Sequence, residues 1–406
     1  MRHIFIILMA LVSISCATKT ENSNFIEENI EFATQQIGNE IEIIEAADKF
    51  MNPTTLRADG SIYYCGYADW RSGFFPGSVW YLYELTGDRK YAELGHKYSK
   101  AIEEAKNVTN HHDVGFMVYC SFGNGFRLTG NSEYPNIIVQ AAKSLSTRFR
   151  SVAGVIQSWD VNKERSERGW ECPVIIDNMM NLELMFEATK FSGDSTFYNI
   201  AIAHADRTLA EHFRPDGSCY HVIDYSLEDG SVRHRHTAQG YDHESVWSRG
   251  QAWAIYGYVV CYRETGEQKY LDQALKTFEF MRNHKNAADD LIPYWDMDAP
   301  DTPEDNPYFE NRNKRDVSSA SIIASALYEI STMPVDNPAQ YKEYADRMME
   351  SLASPAYRAE LGTNGNFLLM HSVGSIPHNS EIDVPLNYAD YYFLEALKRK
   401  RDLEVD

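Results

Sequence analysis

Apolar positions recur every three to four residues through most of this chain, the spacing that lines them up on one face of an α-helix. "SVWYLYELTG" is followed by "KYAELGHKYSKAIEEA", and "AWAIYGYVVCYRETG" by "KYLDQALKTFEFMRNH", so a periodic run stops at a glycine and a second one begins. The interruption has a repeated form: "YELTGDRKY" at 83–91, "FRLTGNSEY" at 126–134, "TKFSGDSTF" at 189–197 and "YRETGEQKY" at 262–270. Thr or Ser precedes the glycine, a polar residue follows, and an aromatic stands four places on. Glycine closes a helix at little cost because it accepts positive φ, and Asp, Asn or Glu just beyond suits the start of the next helix. The pattern predicts four helical hairpins. A fifth is predicted from 318–331 and 339–352, with Pro334 and Pro338 between them. A sixth pairs "NYADYYFLEALKRK" near the C-terminus with the amphipathic "NFIEENIEFATQQIGNEI" near the N-terminus.

The intervals between Gly87, Gly130, Gly193 and Gly266 are too uneven for a thin solenoid of identical units. Irregular hairpins with long inserts fit an all-α closed ring, an (α/α)6 barrel or six-hairpin toroid. Polar motifs lie just before the predicted inner helices: "GYADWRSGFFPG", "HHDVGFMVYC", "GWECPVIIDNMMN", "HTAQGYDHESVWSRGQAW" and "ENRNKRDVSS". Such loops converge on one mouth, the usual form of a ligand site on a rigid scaffold.

Composition sharpens this picture. A chain of 406 residues with 44% hydrophobic residues buries a large core, and 26 Tyr, 19 Phe and 7 Trp suit walls that are apolar yet carry a polar handle, as sugar clefts do. A net charge of -21 without a basic stripe argues against nucleic acid. An acidic small substrate would need a local basic pocket against that field. The first residues, "MRHIFIILMALVSISC", combine a basic start, an apolar stretch and small residues before Cys16, which reads as an export signal too short to remain as a membrane span. The expected organisation is a signal over 1–16 with Cys16 lipidated, a polar tether over 17–24, and one catalytic domain over 25–406, anchored by lipid at a bacterial cell envelope, in the periplasm or at the outer membrane. The five remaining cysteines have no CxxC spacing, and most of them read as buried small residues.

Two acids stand out, Asp113 and Asp177, each at the start of a predicted helix beside an apolar run. They can be read as N-caps, a favoured place for Asp, or as facing carboxyls in a partly dry cleft, where repulsion and desolvation hold one proton. The two readings oppose each other in sign, since a helix N-terminus favours the ionised form. The histidines of "RHRHTAQGYDH" lack the paired helical spacing of a metalloprotease, and no glycine-rich phosphate cradle is present, so neither a metal nor a cofactor is expected.

"HHDVGF", "IIDNMMNLELMFEA", "TAQGYDHESVWSRGQAWAIYG" and "DYYFLEAL" resemble, in order and over most of the chain, the unsaturated glucuronyl hydrolases of glycoside hydrolase family 88. The resemblance implies the same (α/α)6 barrel and removal of a terminal 4,5-unsaturated uronic acid from oligosaccharides made by polysaccharide lyases. It implies that Asp177 protonates C4 of the vinyl ether and then activates the water that adds at C5, and that Asp113 holds ring hydroxyls and the charge balance. It further implies that Trp70, Trp159 and Trp253 wall or floor the uronate site, that His221, Gln239 and Arg249 surround Asp177, and that Ser372 and Ser375 approach the uronate carboxylate. Structural alternatives stand beside these roles: a buried Trp is more often core than platform, Gln251 and Ser248 can bridge helices, and Arg249 can pair with Glu244 or Asp242. "HRHTAQ", "NRNKRD" and the His371 loop supply local positive charge for a sulfate. The competing readings are the related unsaturated rhamnogalacturonyl hydrolases, an epimerase or lyase using a His or Tyr base, and a non-catalytic lipid-anchored glycan-binding protein.

Overall fold

The four glycine turns form as the repeat predicts. In the computed structural model, which describes the backbone of residues 2–405 and the side chains of 24–404, Gly87, Gly130, Gly193 and Gly266 all adopt φ between 64 and 72°. Each donates its N–H back to the carbonyl four residues earlier at 2.8 Å. The residue before each glycine explains the rest of the repeat. The hydroxyls of Thr86, Thr129, Ser192 and Thr265 donate to the carbonyl four residues back and accept the N–H two residues on. One short side chain thus satisfies a donor and an acceptor that a helix end leaves open. The aromatics four places on, Tyr91, Tyr134, Phe197 and Tyr270, are all buried and anchor the outgoing helices.

These turns link inner to outer helices around a ring. After α1 (Arg2–Glu45) and the hairpin β1 (Asn52–Leu56) and β2 (Ile62–Cys65), the inner helix α2 (Phe74–Thr86) turns into α3 (Arg89–Ala101). The second inner helix is α4 (Val114–Val118) and α5 (Asn124–Thr129), joined through a wider π-type turn at Tyr119–Gly123, and it returns as α6 (Tyr134–Ser146). A short hairpin, β3 (Phe149–Arg150) and β4 (Val155–Ile156), then α7 (Lys163–Glu167) and β5 (Cys172–Ile175) lead into α8 (Leu182–Ser192) and α9 (Ser195–Glu211). Strands β6 (Val222–Tyr225) and β7 (Val232–His236) join β5 in one antiparallel sheet before α10 (Ser248–Thr265) and α11 (Gln268–Arg282). Next come α12 (Val317–Ile330) and α13 (Pro338–Leu352), the hairpin β8 (Ser372–Ser375) and β9 (Ser380–Val384), and α14 (Asn387–Val405). Helix α14 packs on α2 and α12, closing the inner ring, and α1 lays its buried stripe of Ile26, Ile30, Ala33, Ile37, Ile41 and Ile44 near α14 and α2. The expected six-hairpin toroid is what forms. The leader and tether, Cys16 included, lie outside the residues whose side chains are described; among the described residues no helix is long and apolar enough to cross a membrane.

The lumen is filled at mid-height. Phe74 of α2, Phe116 of α4, Trp253 of α10 and Tyr392 of α14 meet with ring centroids 5.1 to 6.0 Å apart, and none is more than 2% exposed. Each such side chain contributes about 1.5–3 kcal/mol by leaving water, and the tilted and edge-on contacts add to that. Helices approach closely around this layer: a Cβ on Gly77 would lie 2.5 Å from the Cys120 carbonyl and from the Tyr391 ring, so no larger residue fits there. Below it, Glu395 accepts hydrogen bonds from Tyr81 at 2.7 Å, Tyr256 at 2.9 Å and Ser325 at 2.6 Å, bracing α2, α10, α12 and α14 through one carboxylate.

Candidate active site

Above the aromatic layer, at the N-terminal ends of the inner helices, lies a cleft of about 250 Å³ lined by Trp70, Asp113, Trp159, Asp177, Gln239, Arg249, Ser375 and Tyr388, among others. A larger cavity, about 620 Å³, opens toward the C-terminal ends of the same helices. Its charges are paired among themselves, Arg263 with Glu264 and Glu329, and Arg399 with Glu329. The smaller cleft is where unpaired acid chemistry collects.

Local structure explains how each acid is presented. Strand β5 runs into a single 3-10 turn, Ile176–Asn181, which puts Asp177 two residues beyond the sheet. Pairing of Ile175 with Val222, and the Ile176 N–H bond to the His221 carbonyl at 3.0 Å, place His221 beside it. Asp113 arrives on a different loop, tied to β5 by Ser158: the His112 N–H donates to the Ser158 carbonyl at 3.0 Å, and the Ser158 hydroxyl accepts the Ile175 N–H at 2.9 Å. Neither aspartate caps a helix through its side chain. Asp113 stands at the N-cap position of α4 but turns to His111 Nδ1 and His112 Nε2, each at 3.1 Å, so the capping reading is replaced by a carboxylate held between two imidazoles.

The surroundings drive the two acids apart. Burial alone would raise the pKa of Asp113, but the two imidazoles against its carboxylate, His112 first and His111 second, prevail and hold it well below the usual carboxylate range. For Asp177 burial wins. Its carboxyl is pushed up to about 7, against the pull of His112 and Arg249 and with the help of the Asp113 charge. Oδ2 of Asp177 is buried without a hydrogen-bond partner and faces His221 Nε2 at 3.8 Å, itself unpartnered. His221 is kept neutral by burial first and the nearby Arg249 second. Its Nδ1 accepts the N–H groups of Ala238 at 3.0 Å and Gln239 at 3.2 Å, which leaves the ring proton on Nε2, aimed at Asp177.

Arg249, in the first turn of α10, has both terminal nitrogens engaged with protein. It pairs with Asp316 at 2.9 Å, not with Glu244 or Asp242, and donates to Gln239 Oε1 at 2.8 Å and to the carbonyls of Val373 and Gly374. It therefore pins the β8–β9 hairpin over the cleft and supplies a positive field to Asp177. Trp70 and Trp159 line the cleft as expected of them. Trp253 does not: it belongs to the aromatic layer one turn further down α10, against Phe116 and Tyr392. Ser375 lines the cleft and shares a 2.7 Å hydrogen bond with His378, whereas Ser372 is fully buried in β8 with its hydroxyl unpartnered, so only one of the two serines reaches the cleft. Gln251 bridges to Cys219 in the structural role weighed for it. Of the three cations of "NRNKRD", Lys314 pairs with Asp383 and Arg315 with Asp290, and Arg312 lies over the Phe309 ring. Cys120, Cys172, Cys219 and Cys261 are buried thiols. His234, His236 and His243 stack face to face, and among the described residues no group of three ligand-type side chains converges to hold a metal.

Several site residues escaped the sequence reading. His111 and His112 stand next to Asp113, and adjacency was their only signal. Tyr388, in the cleft wall, lies just before the "DYYFLEAL" segment, and Glu381, paired with Arg71, sits on a hairpin with no periodic signature.

Known proteins share this fold. The chain is 42% identical, over 98% of both chains, to an unsaturated glucuronyl hydrolase of Formosa agariphila. It superposes with a TM-score of 0.86 on an unsaturated glucuronyl hydrolase specific for heparin, 39% identical, covering 94% of this chain and 98% of the other. A Streptococcus agalactiae enzyme of the same name, an Asp-to-Asn variant complexed with dGlcA-GalNAc6S, is 26% identical with a TM-score of 0.73, covering 92% of this chain and 90% of that one. Residues 44–402 match the family model described as Glycosyl Hydrolase Family 88, and the chain belongs to that family.

Proposed function

We propose that this protein removes the terminal 4,5-unsaturated uronic acid from lyase-generated oligosaccharides, by hydrating the C4=C5 double bond. The observation that carries the reading is the pair of acids: Asp177 holds its proton to about pH 7 in a cleft where Asp113 is ionised. A vinyl ether is protonated at carbon, which needs a carboxylic acid rather than a carboxylate at neutral pH. Asp177 gives its proton to C4, and positive charge develops at C5 and the ring oxygen. Water then adds at C5, losing a proton to the Asp177 carboxylate, which is thereby restored. The resulting hemiketal collapses to an open-chain keto-uronate and frees the next sugar. Nothing is displaced at the anomeric carbon by an enzyme carboxylate, so the spacing that separates retaining from inverting glycosidases does not govern the outcome.

The supporting groups act on that centre. The faces of Trp70 and Trp159 suit the apolar side of a flattened sugar ring. The Nε2–H of His221 meets the carboxylate that Asp177 becomes after protonating the substrate, and Arg249 stabilises the same charge from the far side. The export signal ending at Cys16 supports lipid anchoring at the cell envelope; Cys16→Ser is expected to abolish incorporation of labelled fatty acid.

The test is the ultraviolet absorbance of the conjugated double bond in an unsaturated disaccharide. The native protein is expected to bleach it, and Asp177→Asn to slow the loss by on the order of a thousandfold or more. Native protein that leaves the absorbance unchanged across a panel of unsaturated uronides would overturn the assignment.

A further inference from the structure

The larger cavity, at the opposite end of the ring from the acids, has no part in the proposed hydration. The layer of Phe74, Phe116, Trp253 and Tyr392 separates it from the cleft, and a volume of about 620 Å³ lies within the range of small-molecule sites. One inner helix is distorted just where it forms this wall. The π-type turn at Tyr119–Gly123 joins α4 to α5, and Tyr119, Cys120, Gly123 and Asn124 all line the cavity. A π turn gives up regular helix geometry and is frequent at functional sites. Here it sets Tyr119 against Gly123: a Cβ on that glycine would lie 2.7 Å from the Tyr119 ring, so no larger residue leaves the ring its place.

The lining is polar, aromatic and balanced in charge. Lys190 is held between Glu187 at 2.6 Å and Glu264 at 2.7 Å, Arg127 meets Glu84 through both terminal nitrogens at 2.6 Å, and Arg263 pairs with Glu183, Glu264 and Glu329. A charged ligand would have to break one of these pairs. A ligand rich in neutral hydroxyls bridges them instead, donating to the carboxylates and accepting from the cations. Unused hydrogen-bonding capacity sits among the pairs. Tyr392 is only 2% exposed, and neither its hydroxyl nor that of Tyr119 has a hydrogen-bond partner among the described residues. Both tyrosines neighbour Glu183, whose pKa burial pushes up to about 7, against the pull of Arg263 and with the help of Glu395, Glu329 and Glu264. Near neutrality that carboxyl both donates and accepts, as a sugar hydroxyl does.

We propose that this cavity is a second, non-catalytic carbohydrate site, which takes an uncharged saccharide against the Tyr119 ring with its hydroxyls on Glu183, Arg263 and Tyr392. The tyrosine ring offers a flat apolar face to the C–H side of a pyranose, and ion pairs that are already formed need little rearrangement to meet the hydroxyls. The opening lies on the face opposite the cleft, so a sugar held there does not compete with one bound beside Asp113 and Asp177. The site stands whether or not the cleft hydrates a double bond.

Titration calorimetry and saturation-transfer NMR with lactose and cellobiose test this, because neither sugar carries a double bond for the cleft to act on. One saturable site per chain is expected, weakened about tenfold in Tyr119→Ala and about fivefold in Tyr392→Phe, and unchanged in Trp159→Ala, which alters only the cleft. Should Tyr119→Ala fail to fold, Tyr119→Phe removes the hydroxyl alone and is expected to weaken binding about fivefold. In competition, glucose should displace lactose better than glucuronate does, because the acid finds no free cation. The absence of saturable binding by both disaccharides overturns the proposal. So does binding that Trp159→Ala abolishes and the tyrosine variants leave intact, which places the sugar in the cleft, and so does a site from which glucuronate displaces lactose better than glucose.

Discussion

Replacing Asp113 by Asn removes the negative charge that helps keep a proton on Asp177. Asp177 then ionises more easily, so the alkaline limb of kcat/KM, expected near pH 7 in the native protein, moves to lower pH. Turnover is expected to fall on the order of a hundredfold at neutrality. Because Asp113 caps no helix through its side chain, the variant should remain folded. Normal turnover in Asp113→Asn with an unshifted pH profile would remove it from the chemistry. Much of this was legible from the residues: two isolated acids next to apolar runs are unusual, and the family resemblance gave them an order of roles. What the residues left open was the choice between cap and catalytic carboxyl. That choice depends on side-chain direction, which only His111 and His112 on one side and the sheet-held His221 on the other settle.

Among the elements, the decisive joint is Asp316 at the head of α12. It accepts from the Ser318 N–H at 3.1 Å and hydroxyl at 2.6 Å, pairs with Arg249 at 2.9 Å and meets the Val373 N–H at 3.4 Å. One buried carboxylate therefore links two inner helices and the hairpin over the cleft. Asp316→Ala leaves the Arg249 guanidinium buried beside an empty place and is expected to cost about 3–5 kcal/mol in denaturant titration, with a raised KM as the hairpin loosens. A loss under about 1 kcal/mol would show that the joint does not bear on the fold. The glycine-closed hairpins were readable because a helix end has few chemical solutions and this chain repeats one of them. The β8–β9 hairpin was not, since the residues with positive φ around it are His371, Asn379, Glu381 and Asp383 rather than glycines. Trp253 was placed a layer too high for a geometric reason. Four residues after Arg249 on the same helix, it shares a face with the arginine but lies about 6 Å deeper, just over one turn, where the lumen is already filled.

For the molecule as a whole, desolvation raises the pKa values of several buried carboxyls, Asp296 to about 6, Asp177 and Glu183 to about 7, and Asp390 to about 8, the last despite accepting two backbone N–H groups. The folded chain keeps protons there that the unfolded chain has lost above about pH 4, so the contribution of these groups to stability declines as pH rises from about 4 to 8. Each such proton contributes a slope of up to about 1.4 kcal/mol per pH unit. Asp113 acts in the opposite sense, since its lowered pKa stabilises the fold above about pH 4 and that contribution fades only in stronger acid. Below about pH 6.5 the buried neutral histidines His204, His212 and His221 oppose the declining slope as well. Denaturation midpoints should therefore fall between about pH 6.5 and 8.5, and Asp390→Asn should flatten that fall; a midpoint that rises from about pH 7 to 8 would contradict the assignment of these buried protons.

The layer of Phe74, Phe116, Trp253 and Tyr392 has a consequence for how a polymer is consumed. It makes the ring a blind cup, so no glycan strand threads from one face to the other and a long chain cannot be cut along its interior. A saccharide enters tip first, surrenders its terminal unit, and must back out through the same opening. The chain left behind has no double bond at its new end, so each oligosaccharide is shortened once, at its tip, and the pace is set by how quickly the trimmed chain withdraws and a fresh one enters.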